Sequence, residues 1–256
     1  MNSETPKPFV APCNELSGGA PVQWLKSGWN DFKAAPGLSL AWGGFCWFLS
    51  TIVTLVSWKV GGWVLLLSVL SGFIFVAPLL AFGMYSVSRQ LCIGNKPSLA
   101  QTLRAARRPF TNSLVFALVL LVIFLLWARA GTMVHIFFPS DGTVKLENLL
   151  LYLGVGSAVG SIFAFICFAA SVFSLPFIAN RDADVITAVV SSINAVLRNR
   201  WTMLWWGILI SLFTAVGFVT AMFGFVVIIP LLGYATWHGY RDALNVEDWP
   251  VLPGAG

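Results

Sequence analysis

Charged side chains are scarce in this sequence: 15 Lys and Arg with 10 Asp and Glu make up 10% of 256 residues. Soluble domains carry roughly 25%, so a chain this long has too few ionisable groups to face water on every side. Histidine is rarer still, with only His135 and His238. The cysteines, Cys13, Cys46, Cys92 and Cys167, lack the paired spacing of a zinc or redox centre. No Walker loop, dinucleotide-binding glycine pattern, zinc-protease helix or nucleophile elbow occurs. Within the apolar runs only Arg129 is charged, and it lies close enough to the end of its run to snorkel to the interface. These absences predict no catalytic residue, no cofactor and no metal site. The net charge of +5 is spread over short segments and forms no dense patch, which argues against a nucleic-acid partner.

What the sequence has in abundance is apolar length. Hydrophobic residues make up 58%, and runs longer than about 18 residues, enough to cross a bilayer as a helix, recur along it. The expected fold is all-α: a polytopic membrane protein whose partner is the lipid bilayer. Six transmembrane helices are predicted at about Leu38–Ser57, Gly61–Val87, Ser113–Val134, Leu149–Ile178, Trp201–Ala221 and Phe223–Tyr240. A tight turn near Met222 separates the last pair, with Gly217 and Gly224 beside it. Residues 1–20, with Pro6, Pro8 and Pro12 and no secretory apolar core, read as a disordered cytoplasmic tail. Residues 21–244 read as the membrane domain and 245–256 as a cytoplasmic C-terminal tail.

Basic residues orient the chain. Lys7, Lys26, Lys33, Arg89, Lys96, Arg104, Arg107, Arg108, Arg181, Arg198, Arg200 and Arg241 fall on one side, and Lys59, Arg129 and Lys145 on the other. The positive-inside rule places both termini in the cytoplasm. Tryptophan prefers the headgroup level. Trp42, Trp201, Trp205 and Trp237 fall at the expected cytoplasmic ends and Trp58, Trp63 and Trp127 at the opposite ends, while Trp47 is expected to pack inside.

A unit repeats. PLLAFGMYSVSR from Pro78 and PLLGYATWHGYR from Pro230 match in small, aromatic and terminal arginine positions, and PFIANR from Pro176 is a shortened counterpart. Three amphipathic segments precede the odd-numbered spans. In the first, Val22, Leu25, Trp29 and Phe32 oppose Lys26, Asn30 and Lys33. In the second, Leu99, Leu103, Ala106 and Phe110 oppose Arg104, Arg107 and Arg108, and in the third, Ile186, Val189, Ile193 and Leu197 oppose Asn194 and Arg198. Three tandem units follow, at about 21–91, 97–181 and 182–244, each an interfacial amphipathic helix and two spans. Such helices lie in the headgroup plane, where Arg104, Arg107 and Arg108 are candidates for lipid headgroup contact.

Pro78, Pro176 and Pro230 lie inside spans and predict kinks. Gly156 and Gly160 form a small-xxx-small pair suited to close helix packing. Asp182 and Asp184 precede the third amphipathic helix, where a carboxylate caps free N–H groups.

The six-span layout, the motif SLPFIANRDADVITAVVSSINAVLRNRWTMLWWGILI at Ser174–Ile210 and the PLL-containing spans resemble an uncharacterised family of bacterial integral membrane proteins, domain of unknown function 2189. The resemblance implies a bacterial inner-membrane location and supplies no site residues. Some relatives carry the label of cytochrome c oxidase subunit. A haem-copper catalytic subunit needs several intramembrane histidines, so the label leaves at most an accessory or assembly role here. The expected function is a non-enzymatic scaffold, assembly factor or accessory subunit, contacting other membrane proteins or a second copy of itself. A small-solute transporter or channel is the alternative, and a lipid-acting membrane enzyme the third reading.

Overall fold

The computed structural model describes residues 8–102, 110–137 and 146–252, and these are helical apart from short connections. In order, the helices are α1 (Ala20–Ala34), α2 (Pro36–Leu80), α3 (Phe82–Cys92), α4 (Phe110–Phe137), α5 (Leu146–Ser171), α6 (Ser174–Asn180), α7 (Val185–Arg198), α8 (Arg200–Val219) and α9 (Phe225–Ala243). Among the described residues, four stretches, Pro36–Gly61, Thr111–Gly131, Leu150–Asn180 and Arg200–Val219, are long and apolar enough to cross a membrane. Within the second, 11% of its most apolar 18 residues are buried against protein. Leu114, Leu118, Leu121, Leu125 and Leu126 on α4 face outward, as do Phe45, Phe48, Leu49 and Ile52 on α2 and Leu204, Ile208 and Leu212 on α8. Such a belt demands hydrocarbon around it.

The 45 residues of α2 are helical throughout, yet α2 is not straight. Trp42 Nε1 donates to Leu80 O at 2.8 Å, whereas a straight helix would hold those residues about 57 Å apart. Trp47 stacks on Phe223 at 4.9 Å and Phe73 on Phe225 at 5.2 Å, so both arms meet the start of α9. The helical run therefore doubles back on itself, and the pairing of Trp42 with Leu80 centres the reversal near Gly61. The sequence expects a connection between Ser57 and Gly61, and the backbone there is helical.

Helix α9 is the axis of the bundle. It packs against α1, α2, α3, α6 and α8, and 13 of its 19 residues are buried. It is absent from the four membrane-capable stretches because Trp237, His238, Arg241 and Asp242 lower its hydropathy. A helix wrapped by protein does not need the apolarity that lipid demands. Trp237, expected at the headgroups, is 2% exposed inside this packing.

Each intrahelical proline lies beside a contact from another part of the chain. Pro230 has no N–H, which frees the carbonyl of Val226 four residues earlier. Gly43 covers that carbonyl so closely that a Cβ at 43 would sit 1.9 Å from Val226 O. Pro176 follows a break at Val172 and Phe173 between α5 and α6. There Ser192 Oγ donates to Ala169 O at 2.7 Å and accepts from Phe173 N at 3.1 Å. After Pro78 the helix ends at Leu80, whose carbonyl takes the Trp42 bond.

The turn between α8 and α9 lies where the sequence places it. Met222 N donates to Gly217 O at 2.9 Å and Ala221 N to Phe218 O at 3.0 Å, the paired bonds of a Schellman cap. Ala221 occupies its left-handed position with φ of 49°, and Met222 follows at 68°. The equivalent cap of α3 has Gly94 there, with φ of 77°.

The apolar stripes of α1 and α7 are divided: Val22 and Trp29 on α1 and Ile186 and Leu197 on α7 are exposed, while Leu25, Phe32, Val189 and Ile193 pack against the core. The packed faces are Trp24, Gly28 and Phe32 on α1, and Ala188, Ser191, Ser192 and Ala195 on α7. Helices approach closely where residues are small, and Gly28 and Gly239 admit α1 to within contact of the α9 backbone and Trp24. Residues 10–19 do not form a disordered tail, since Ala11 N donates to Ser191 Oγ, Asn14 N to Ala243 O and Leu16 N to Asn199 Oδ1. Gly156 meets nothing within 4 Å, and Gly160 only Trp127 Nε1 at 4.0 Å, so among the described residues no helix packs closely on this pair.

Replacing Gly43 with Ala is expected to cost at least about 1–3 kcal/mol, because the methyl collides with fixed backbone. Ala221→Gly should instead stabilise by up to about 1 kcal/mol by relieving the left-handed strain. Thermal unfolding in detergent reads both, and a Gly43→Ala variant as stable as its parent would contradict the packing of α2 on α9.

Candidate functional site

Buried polar groups collect where α1, α3 and α6 meet the C-terminal half of α9, with α7 packed on α6. Asp31 projects from α1 into this layer. Its Oδ2 accepts from His238 Nε2 on α9 at 2.8 Å and from Ser88 Oγ on α3. Trp24 Nε1 donates to Asp242 Oδ2 at 3.0 Å, and Ser39 Oγ and Tyr234 OH are 2.8 Å apart. One carboxylate thus ties three helices together.

The order of this triad is serine, aspartate, histidine, with the carboxylate in the middle. A nucleophilic serine needs the imidazole between itself and the acid, and Ser88 is fully buried. The arrangement positions helices and lacks the geometry to activate a hydroxyl.

Beside it lies a cationic group. Arg89 on α3 is 8% exposed, and its Nη1 is buried without a hydrogen-bond partner. Arg181, just past α6, donates from Nη1 to Trp249 O at 2.9 Å, while its Nε is buried and unpartnered. Between them, Tyr240 OH accepts from Asn180 Nδ2 at 2.9 Å. Burial, together with the Arg181 charge, pulls the Arg89 pKa below the usual guanidinium value.

The segments flanking the bundle close this layer. Asn199 Nδ2 donates to Asn14 O at 3.0 Å, and Asn245 N to Pro12 O at 2.9 Å. Trp249, 2% exposed, meets the Phe177 ring edge-on at 5.3 Å. Burial raises the Cys13 thiol pKa against the opposing pull of Arg198 and Asn199, so Cys13 stays a thiol at neutral pH. Asp184 caps α7 by accepting from Thr187 N at 2.9 Å. Burial pushes its pKa up, but the hydrogen bonds from the Thr187 and Ile186 backbone outweigh it and hold the carboxyl below its usual range.

Of the residues singled out in the sequence, Pro78, Pro176 and Pro230 border the core, whereas Gly156 and Gly160 stand apart from the polar layer. Arg104, Arg107 and Arg108 lie outside the described residues. Among the described residues, no group of three His, Cys, Asp or Glu is placed to hold a metal ion. Sequence reasoning missed Asp31, Arg89 and Asn199. A signal existed for the first, because Asp31 is the only acidic residue between Glu15 and Asp141.

Residues 65–180 match the DUF2189 family. That family is described as a predicted integral membrane protein, in keeping with the apolar belt on α2, α4 and α8. The matched stretch runs from the second arm of α2 through α6 and includes Arg89 and the Pro176 break. It begins after α1 and stops short of α7, α8 and α9, so Asp31 and His238 both lie outside the DUF2189 match. No curated protein and no solved structure matches the chain.

If Asp31 is the tie between α1, α3 and α9, Asp31→Ala should cost about 2 kcal/mol, since it strands the buried Ser88 and the half-buried His238. His238→Ala should cost less. A double-mutant cycle between them should give a coupling of about 1 kcal/mol or more, and additive losses would show that the pair does not interact.

Proposed function

We propose that this chain is a six-span protein of the bacterial cytoplasmic membrane, with both termini in the cytoplasm, that acts as a non-enzymatic scaffold, assembly factor or accessory subunit. The doubled-back α2 with α3 supplies the first two spans, α4 and α5 with α6 the next two, and α8 and α9 the last pair. In this reading α1 and α7 are the amphipathic leaders of the first and third units. Their outward Val22, Trp29, Ile186 and Leu197 suit the lipid interface. The exposed Trp201 and Trp205 lie at the same end of the bundle as α7 and the basic Arg198 and Arg200.

The burial of α9 carries this reading. A carrier needs a route along its central helix, and here Phe73, Phe218 and Phe225 interlock at one end of α9 while Trp24, Trp206 and Phe173 close the other. Pro230 is held by the Gly43 contact, which favours a static kink over a hinge. The small-solute transporter or channel remains the alternative, supported by the helix breaks next to Pro78 and Pro176. The enzyme reading is weakened by the order of Ser88, Asp31 and His238.

Protein reconstituted into sealed vesicles should move none of a broad panel of small solutes. Crosslinking in the native membrane should capture it in assemblies larger than the monomer. Saturable flux would favour the transporter, and a lone monomer in the membrane would overturn the scaffold.

A further inference from the structure

The unpaired charge around Tyr240 calls for a partner. Arg89 comes from α3, Arg181 from the end of α6 and Arg241 from α9, and the charges of all three fall on Tyr240. Among the described residues the one ion pair is His238 with Asp31, so no carboxylate neutralises any of these guanidinium groups. Burying a guanidinium with open N–H donors is strongly unfavourable unless an acceptor meets it. Two like charges held together add to that cost. Arg89 Nη1 and Arg181 Nε are both buried and unpartnered, so the site offers donors with nothing to receive them.

The surroundings hold these groups in place. Asn180 fixes the Tyr240 hydroxyl, Trp249 O fixes Arg181 Nη1, and Arg241 Nη1 rests on Cys92 Sγ at 3.0 Å, one turn beyond Arg89. The strap at 249–252 is itself pinned, with Asp182 N donating to Pro250 O at 2.9 Å and Leu252 N to Asn180 O at 3.3 Å. We propose that Arg89, Arg181 and Arg241 form a phosphate-binding site. A phosphate group offers several acceptor oxygens around one centre, which suits planar guanidinium donors approaching from three helices. On the side of the membrane that the positive-inside rule assigns to the cytoplasm, the group could come from a phospholipid headgroup or from a free phosphate.

The experiment uses full-length protein in a phosphate-free sugar detergent and follows the thermal midpoint. One arm adds inorganic phosphate, and the other adds phosphatidic acid or phosphatidylglycerol. The expected result is a saturable rise with at least one of them. A rise with lipid alone identifies a headgroup as the source, and a rise with inorganic phosphate identifies the free anion. Arg89→Gln and Arg181→Gln should each weaken the response about tenfold or more, while Arg200→Gln, whose exposed guanidinium lies 5.8 Å from the Trp201 ring centre, should leave it unchanged. If Arg89→Gln does not fold, Arg181→Gln and the exposed Arg241→Gln decide the matter. No saturable rise in either arm, or an undiminished rise in the folded variants, overturns the site.

Discussion

The packing of α2 on α9 is the constraint on which the bundle rests. Pro230 leaves the Val226 carbonyl without its helical donor, and only a residue without a side chain can approach and cover it. Gly43 does so, which brings the first arm of α2 against α9, and the chain then returns so that Phe73 also reaches Phe225. The same device recurs along α9. Gly28 lies on Ala235, Gly233 on Met84 and Gly239 on Trp24, so α1, α3 and α9 approach more closely than larger residues allow. In lipid there is little hydrophobic gain from bringing helices together, so close van der Waals contact and hydrogen bonds must supply the attraction.

Two environments then divide the side chains. Large aliphatic residues on α2, α4 and α8 face outward to hydrocarbon, while glycine, alanine and serine face inward. Hydrophobicity alone cannot tell inside from outside in such a protein, because the lipid side is as apolar as the core. Polar atoms are collected into one layer, where Asp31 joins α1, α3 and α9, Asn199 holds the N-terminal segment and Trp249 the C-terminal one. Segments that composition alone marks as tails become the lid of this layer, because they supply donors and acceptors that α6, α7 and α9 leave open at their ends.

Much of the architecture was legible beforehand. Long apolar runs marked the helices, the turn near Met222 followed from the length of the run around it, and the Asp184 cap followed from carboxylate chemistry. The polar layer was not legible, because its members lie far apart: Asp31 and His238 are 207 residues apart, and Leu16 and Asn199 are 183 apart. Arg89 and Arg181 read as ordinary positive-inside residues, and nothing in their local sequence distinguishes a buried arginine from one in the headgroups.

The sequence by itself determined the solvent. A chain with 58% hydrophobic and 10% charged residues cannot be covered by water, and its apolar runs have the length of a bilayer. Only the tertiary structure decided which faces meet. Helix contact depends on the shape of both partners, so the roles of Gly43, Gly28 and Ser192 exist only once α9 or the break at Phe173 is set beside them. The pairing of Asp31 with His238, and the lack of a pair for Arg89 among the described residues, were settled by the same step, since charge compensation is a property of places in space and not of positions along a chain.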